Sequence, residues 1–435
     1  VSPPTVSGRP PGRPMSRHGW ARALALVVTT LVAMFVVAAL GLWAAGAADL
    51  PDGAFGRVAA ATVVTSVGGS VELAGNAGAL AESRAGLNVL PLSVTLTGAL
   101  VLGAGFLRPL RRRAVAPAGE LAGWAGRIAL LWLLALIGLA FAARQTFAVN
   151  LGEGILNDIS GLFGAEPRVG FTTDVPLTVL FGLLWLAGVM VLALLVASGA
   201  AVPGRFARHQ RSVRPAAQAM VVLLLVYVVI GIVIALVTAA THGHVAERFA
   251  VILLGLPNVV WPAFTIGLGA SWNGRVDGPF GLPMPHVLDQ VLRTPEVSTV
   301  NVGTLADYDS RSWWLVPVAA VLLLAVAFRM AARSPADVRA WQHAVRMAVA
   351  LALTVLMICL LGRISAHYGL SLFGIGDLGG GLSGELFLKP RLGPAVGLGA
   401  LWGLVMGFLG AVLARPLHRR SADRAHPGTA DRAPR

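Results

Sequence analysis

Chemistry-bearing side chains are few in this chain, and their spacing excludes more than it offers. His242, His244 and Glu247 in HGHVAE are the types that ligate zinc, but one HxH and one glutamate supply neither a fourth ligand nor a second cluster. The stretch reads instead as a polar cap on the helix that ends near Ala240. GIGDLGGGLSGE (374–385) has the glycines of a phosphate loop without the following Lys-Ser or Lys-Thr and without a buried strand before it. It reads as a flexible or re-entrant outer element. Glu72, Glu82, Asp158, Asp174, Asp377 and Glu385 lie near the ends of outer elements, where carboxylates cap and turn chains; a shared cation site is the sharper alternative. Cys359, the single cysteine, sits inside an apolar run, so no disulfide framework or thiolate metal cluster can form. No cofactor, metal or catalytic residue is expected.

Two polar strings inside apolar surroundings are better candidates. LPNVVWPAFTIGLG offers Asn258, Trp261 and Thr265, with carbonyls freed by Pro257 and Pro262 because proline has no amide hydrogen. An earlier segment offers Thr62, Thr65 and Ser66 before the pliable pair Gly68-Gly69. Irregular backbone is tolerated at membrane depth only where protein buries it or a watery cavity is lined by it. Segments 58–70 and 250–270 are therefore the candidate functional centre, re-entrant from the outer face. The bland alternative is a pair of interfacial helices lying against a bundle.

The elements that must position these residues are membrane spans. Of 435 residues 56% are hydrophobic and only 12% charged, about half the charge a soluble surface needs; mean hydropathy is +0.76. Eight runs approach the ~20 residues that cross a hydrocarbon core: 21–45, 89–107, 128–143, 176–200, 217–240, 313–328, 343–362 and 392–414. The first follows a basic stretch like a signal peptide, but its apolar core is too long for one, so an uncleaved span is expected. Segments 53–73 and 249–270 are the two ambiguous runs. If both cross, Lys and Arg divide 18 inside to 16 outside; if both enter and leave by the outer face, they divide 23 to 11. The positive-inside rule selects the second arrangement. It gives an all-α membrane protein of four in–out–in hairpins with both termini cytoplasmic.

On a soluble chain the net charge of +14 would suggest nucleic acid. Here the arginines end apolar spans, so the expected partner is anionic lipid and no nucleic acid. LRPLRRR (107–113) and ARPLHRR (414–420) make the point twice: proline should stop each helix, and Arg108, Arg111, Arg112, Arg113, Arg415, Arg419 and Arg420 should anchor it. The chain divides into a disordered tail (1–20), a first membrane half (21–202), a cytoplasmic connector (203–216), a second half (217–414) with outer loop 271–312, and a second disordered tail (415–435). ISGLFG (159–164) resembles GLSLFG (369–374) at the matching place in each half, as a tandem repeat would produce, and PLSV (91–94) resembles PLTV (176–179) within the first half. VSTVNVGTL in the long outer loop is strand-like and suggests a small ordered cap, and Trp313-Trp314 marks re-entry into the membrane. Gly403-x-x-x-Gly407 suits close helix contact, either within the bundle or in a homo-oligomer.

No ionisable residue lies in the interior of any of the eight spans, which removes the usual proton relay or intramembrane catalyst. A single lysine against 33 arginines, with 52 glycines, points to a GC-rich actinobacterial genome. ALGLWAAGAADLPDGAFGRVAAATVV, GGSVELAGNAG, GLNVLPLSVTLTGALVLGAGFLRPLRRR and LPNVVWPAFTIGLGASW resemble the streptophobe family, very hydrophobic polytopic proteins of Streptomyces and relatives. The resemblance covers most of the chain, is strongest over 39–113, and brings no assigned activity. A fainter likeness, through Leu256-Pro257-Asn258, is to actinobacterial membrane proteins of the PerM type. The expected function is a non-enzymatic plasma-membrane scaffold with an envelope protein partner. The alternative is a passive transporter or lipid-handling protein with its site at 58–70 and 250–270.

Overall fold

The computed structural model describes residues 16–50, 53–76, 81–110, 118–148, 168–197, 204–243, 245–277, 286–293, 296–334, 338–372 and 383–425. The first half contains helices α1 (Ser16–Ala44), α2 (Ala54–Ser66), α3 (Leu92–Leu107), α4 (Ala118–Ala142) and α5 (Val175–Val196). The second contains α6 (Gly204–His242), α7 (Val245–Gly267), the short α8 (His286–Leu292) and α9 (Val302–Tyr308), then α10 (Leu315–Ala332), α11 (Ala340–Leu361) and α12 (Leu392–Ala425). Among the described residues eight helices are long and apolar enough to cross a membrane: α1, α4, α5, α6, α7, α10, α11 and α12. The chain is therefore built as a multi-pass helical membrane protein.

Packing explains why these runs are helices in lipid. Along α1, Leu24, Val28, Val32, Val36 and Leu40 are exposed at every fourth position while Ala23, Val27, Met34 and Ala38 are buried. One stripe faces lipid and the other the bundle. Exposed Trp20 and Trp43 stand near the two ends of this helix, about 35 Å apart at ~1.5 Å per residue. That matches a hydrocarbon core of about 30 Å with tryptophans at its borders. Exposed Trp313 and Trp314, at the start of α10, mark the same border as Trp43.

The sequence reading contained no sheet, and here the structure adds most. Strands β1 (Val71–Asn76), β2 (Ala81–Asn88), β3 (Gln145–Ala148), β4 (Arg168–Thr173), β5 (Trp272–Val276), β6 (Ser298–Val300), β7 (Ile364–Leu372) and β8 (Ser383–Pro390) form one sheet. Its order is β3-β4-β1-β2-β7-β8-β5-β6, and every neighbour pair is antiparallel. Each of the four connections expected to lie outside contributes two adjacent strands, so all four meet on one side of the bundle. We call it the sheet side. The sheet alternates as a one-sided sheet must: Trp272, Gly274 and Val276 are buried, as are Leu386 and Leu388, while Glu385, Lys389, Thr172 and Glu72 are exposed.

The halves repeat each other down to strand register. Order 3-4-1-2 in the first half becomes 7-8-5-6 in the second. Val71 pairs with Thr173 and with Leu87, and its counterpart Trp272 pairs with Pro390 and with Val300. Gln145 pairs with Phe171 as Ile364 pairs with Leu388. The helices before β1 and β5 end alike. Gly68 (φ 97°) and Gly269 (φ 95°) take the left-handed conformation, and the next amides, Gly69 and Ala270, return to the Val64 and Thr265 carbonyls at 3.0 Å each. This closure needs a residue with no Cβ penalty at positive φ. Each half also has its own apolar core.

Several sequence expectations change. The helix of 89–107 is Leu92–Leu107, shorter than a full span. It nonetheless runs beside most of α1, Gly98 against Met34 and Gly105 against Leu26. Proline does not stop the second basic segment: α12 continues through Pro416 to Ala425. Where a helix leaves the hydrocarbon, the carbonyl that a proline strands can be hydrated, which lowers the penalty. The connector 203–216 is likewise helical and contains Pro215. VSTVNVGTL divides, its first part in β6 and its second in α9, which Asn301 and Thr304 open with a reciprocal capping box. Residues 1–15, 159–164 and 426–435, with Arg111, Arg112 and Arg113, lie outside the described residues.

Candidate apolar cavity between the halves

α2, with 13 residues, is shorter than a span, whereas α7 is as long as one. On α2, Arg57 donates to the Arg144 carbonyl just past the end of α4 (3.1 Å), and the Ser66 carbonyl accepts from Thr95 in the first turn of α3 (2.6 Å). Both contacts are on the sheet side. α7 touches Gly41 of α1 through Leu254, Leu315 of α10 through Gly267, and Gly362 just past α11 through Pro262. These three contacts are at sheet-side ends, while Leu256 and Val260 meet Gly231 and Phe264 meets Tyr227 along α6, so α7, which has the length of a span, packs on the bundle from its sheet side inward.

α7 breaks at Gly255 (φ −140°, ψ 15°), two residues before Pro257. Ser93, from the first half, fills the break. Its hydroxyl donates to the Ile252 carbonyl (2.8 Å) and accepts from the Leu256 amide (3.2 Å), spanning the i→i−4 pair that the kink opens. Asn258 repays the connection, accepting from the Leu92 amide (3.0 Å) and donating to the Leu90 carbonyl (2.9 Å) at the start of α3. Four hydrogen bonds thus pin α7 to the first half.

Beneath the sheet, between α1, α2 and α7, lies a cavity of about 750 Å³. Its walls include Leu42, Val58, Ala61, Val251, Leu254 and Ile266, and its roof includes Val71, Phe171, Trp272 and Leu388 from the inner face of the sheet. The lining also takes in the exposed Ala45 and, at the start of α10, Ser312 and Leu315, close to Trp43 and Trp313-Trp314. The cavity therefore lies at the tryptophan border. No charged side chain lines it among the described residues.

Of the residues singled out from sequence, Thr62, Thr65, Asn258 and Pro262 line the cavity. The others face away. Ser66 and Pro257 are buried, Trp261 donates to the Leu224 carbonyl of α6 (3.3 Å), and Thr265 accepts from Trp272 (3.0 Å). The lining polar groups are also occupied: Thr62 donates to Val58 O (2.9 Å), Thr65 to Thr62 O (3.0 Å), and Asn258 holds α3. Thr62, Thr65 and Asn258 thus stitch backbone together within a mainly apolar wall. Ser93 was missed as a site residue, although it stands in PLSV, one of the two similar helix entries of the first half.

The remaining candidates resolve simply. Asp174 caps α5 through the Leu177 amide (3.1 Å). His242 ends α6, Glu247 is exposed, and no metal-binding group of three or more ligands occurs among the described residues. Gly403 and Gly407 are turned inward, against the α11 backbone at Ala348 and Ala344. Arg108 and Arg415 are exposed at the side away from the sheet, and Arg419 and Arg420 fall in the last turns of α12. No family model, curated protein or solved structure matches the chain, so the cavity's own geometry carries the functional reading.

Proposed function

We propose that this is a non-enzymatic lipid-handling protein of the plasma membrane, streptophobe-like and actinobacterial, with cytoplasmic termini and an outer sheet that covers an apolar chain taken from the outer leaflet. The observation that carries it is the 750 Å³ cavity, whose lining is mainly apolar and whose Thr62, Thr65 and Asn258 are already hydrogen-bonded. The cavity opens at the tryptophan border, so an apolar chain entering it takes apolar wall out of contact with water, worth roughly 25 cal/mol per Å². A lipid tail fits the volume, the chemistry and the depth. The scaffold reading rests on the absence of buried charge, which lipid binding shares; the cavity favours lipid.

Photoactivatable diacylglycerol with its reactive group in the tail tests this. In the wild type it should crosslink to peptides of α2 and α7. Thr62→Trp with Val259→Trp, both on the lining, should abolish those crosslinks while the protein still inserts and purifies. Undiminished crosslinking in the filled variant would sink the proposal.

A further inference from the structure

Two arginines stand beside the lining of this cavity, and neither is paired with a carboxylate among the described residues. Arg57 is exposed on α2, beside the lining residue Val58, and its guanidinium donates to the backbone carbonyl of Arg144 (3.1 Å). Arg144, at the junction of α4 and β3, donates through one Nη to the Thr173 carbonyl (3.4 Å). Thr173 lies two residues along β4 from the lining residue Phe171. The Arg144 guanidinium stands over the Phe141 ring at 4.9 Å, and its Nε is buried without an acceptor. Neither arginine forms an ion pair with a carboxylate among the described residues, and the nearby Asp174 is engaged as the cap of α5.

Both guanidinium groups are satisfied only by backbone carbonyls and a ring face, so their charge is left without a counter-ion among the described residues. Arginine's planar fork suits phosphate oxygens. The repeat sharpens the point. Arg144 has a counterpart in Arg363, one residue before β7 as Arg144 is before β3. Counting back from the matched helix ends, Arg57 has its counterpart in Asn258, which is spent on α3. The doubled charge is therefore particular to the first half, where α2 forms the cavity wall.

We propose that Arg57 and Arg144 hold the phosphate of an anionic lipid whose tail occupies the cavity, so that the ligand is a phospholipid rather than a neutral one. This rests on the lipid-handling reading and adds the head group to it. Tail and head would then be recognised by adjacent parts of one site, chain beneath the sheet and phosphate at its rim.

The test is competition between photoactivatable phosphatidylglycerol and photoactivatable diacylglycerol on the full-length protein in phosphatidylcholine nanodiscs. Wild type should prefer phosphatidylglycerol, and Arg57→Gln with Arg144→Gln should reduce that preference about tenfold or more, as loss of charge-assisted hydrogen bonds implies. Arg57→Lys with Arg144→Lys, which keeps the charge, should retain most of it and separates recognition from misfolding. An unchanged preference in the glutamine variant would mean that the arginines meet only bulk head groups, and would overturn the inference while leaving the cavity reading intact. Inorganic phosphate should displace little phosphatidylglycerol. Full displacement by phosphate alone would make this a free-anion site and overturn the lipid assignment. If the cavity-filled variant keeps both crosslinks, the cavity reading itself fails.

Discussion

Ser93 and Asn258 tie the two halves together at the point where α7 is broken, and neither faces the cavity as a free polar group. Ser93→Ala leaves the Ile252 carbonyl and the Leu256 amide without their bridge. A buried group so stranded costs about 1–3 kcal/mol. Asn258→Ala removes two bonds and should cost more. Chemical unfolding in detergent should show both losses in that order, and a wild-type midpoint for Ser93→Ala would mean the bridge contributes nothing. Asn258 was legible in the sequence because an asparagine between prolines in an apolar run stands out. Ser93 was not, because a serine in the first turn of a span is ordinary and its partners lie more than 150 residues away in the chain.

Between elements, glycine decides how closely helices approach. In α12 a Cβ on Gly403 would lie 2.5 Å from the Ala348 Cα and 2.8 Å from the Met347 carbonyl oxygen, while one on Gly397 meets nothing within 4 Å. Gly403→Ala should therefore force α11 and α12 apart and destabilise the bundle by about 1–3 kcal/mol. Gly397→Ala should be neutral or stabilising by up to about 1 kcal/mol, because alanine is the better helix former. Thermal unfolding of the two variants side by side measures the contrast; equal midpoints would refute the packing. Long apolar runs made the spans legible, since lipid imposes one requirement on every residue of a span. The strands were not legible. VELAGN and AESRAGLN have little strand propensity, and β2 is held by β7, which lies nearly three hundred residues further on. Pairing at that distance, with a bundle beneath to bury one face, leaves almost no local signature.

At the scale of the molecule, the sheet converts four separate connections into one surface and therefore puts them on one side without reference to arginine counts, which then say that this side is the outer one. β2 and β7 join the halves through eight registered pairs, from Ala81↔Leu372 to Asn88↔Ser365. Closing those pairs across a bilayer is impossible, so all four hairpins must share one compartment. The short match ISGLFG/GLSLFG hinted at the repeat, but the register at Val71 and Trp272 argues it far better. Single cysteines placed at Glu72, Thr172, Asp277 and Glu385 are exposed positions on or beside this sheet, two from each half. In a background lacking Cys359, all four should react with a membrane-impermeant maleimide on intact cells. Cysteines at the exposed Gly119 and Arg415, away from the sheet, should react only after permeabilisation. Labelling of all six in reverse would invert the protein and place the cavity in the inner leaflet. Labelling of the first-half pair without the second-half pair would break the sheet, and with it the cavity roof.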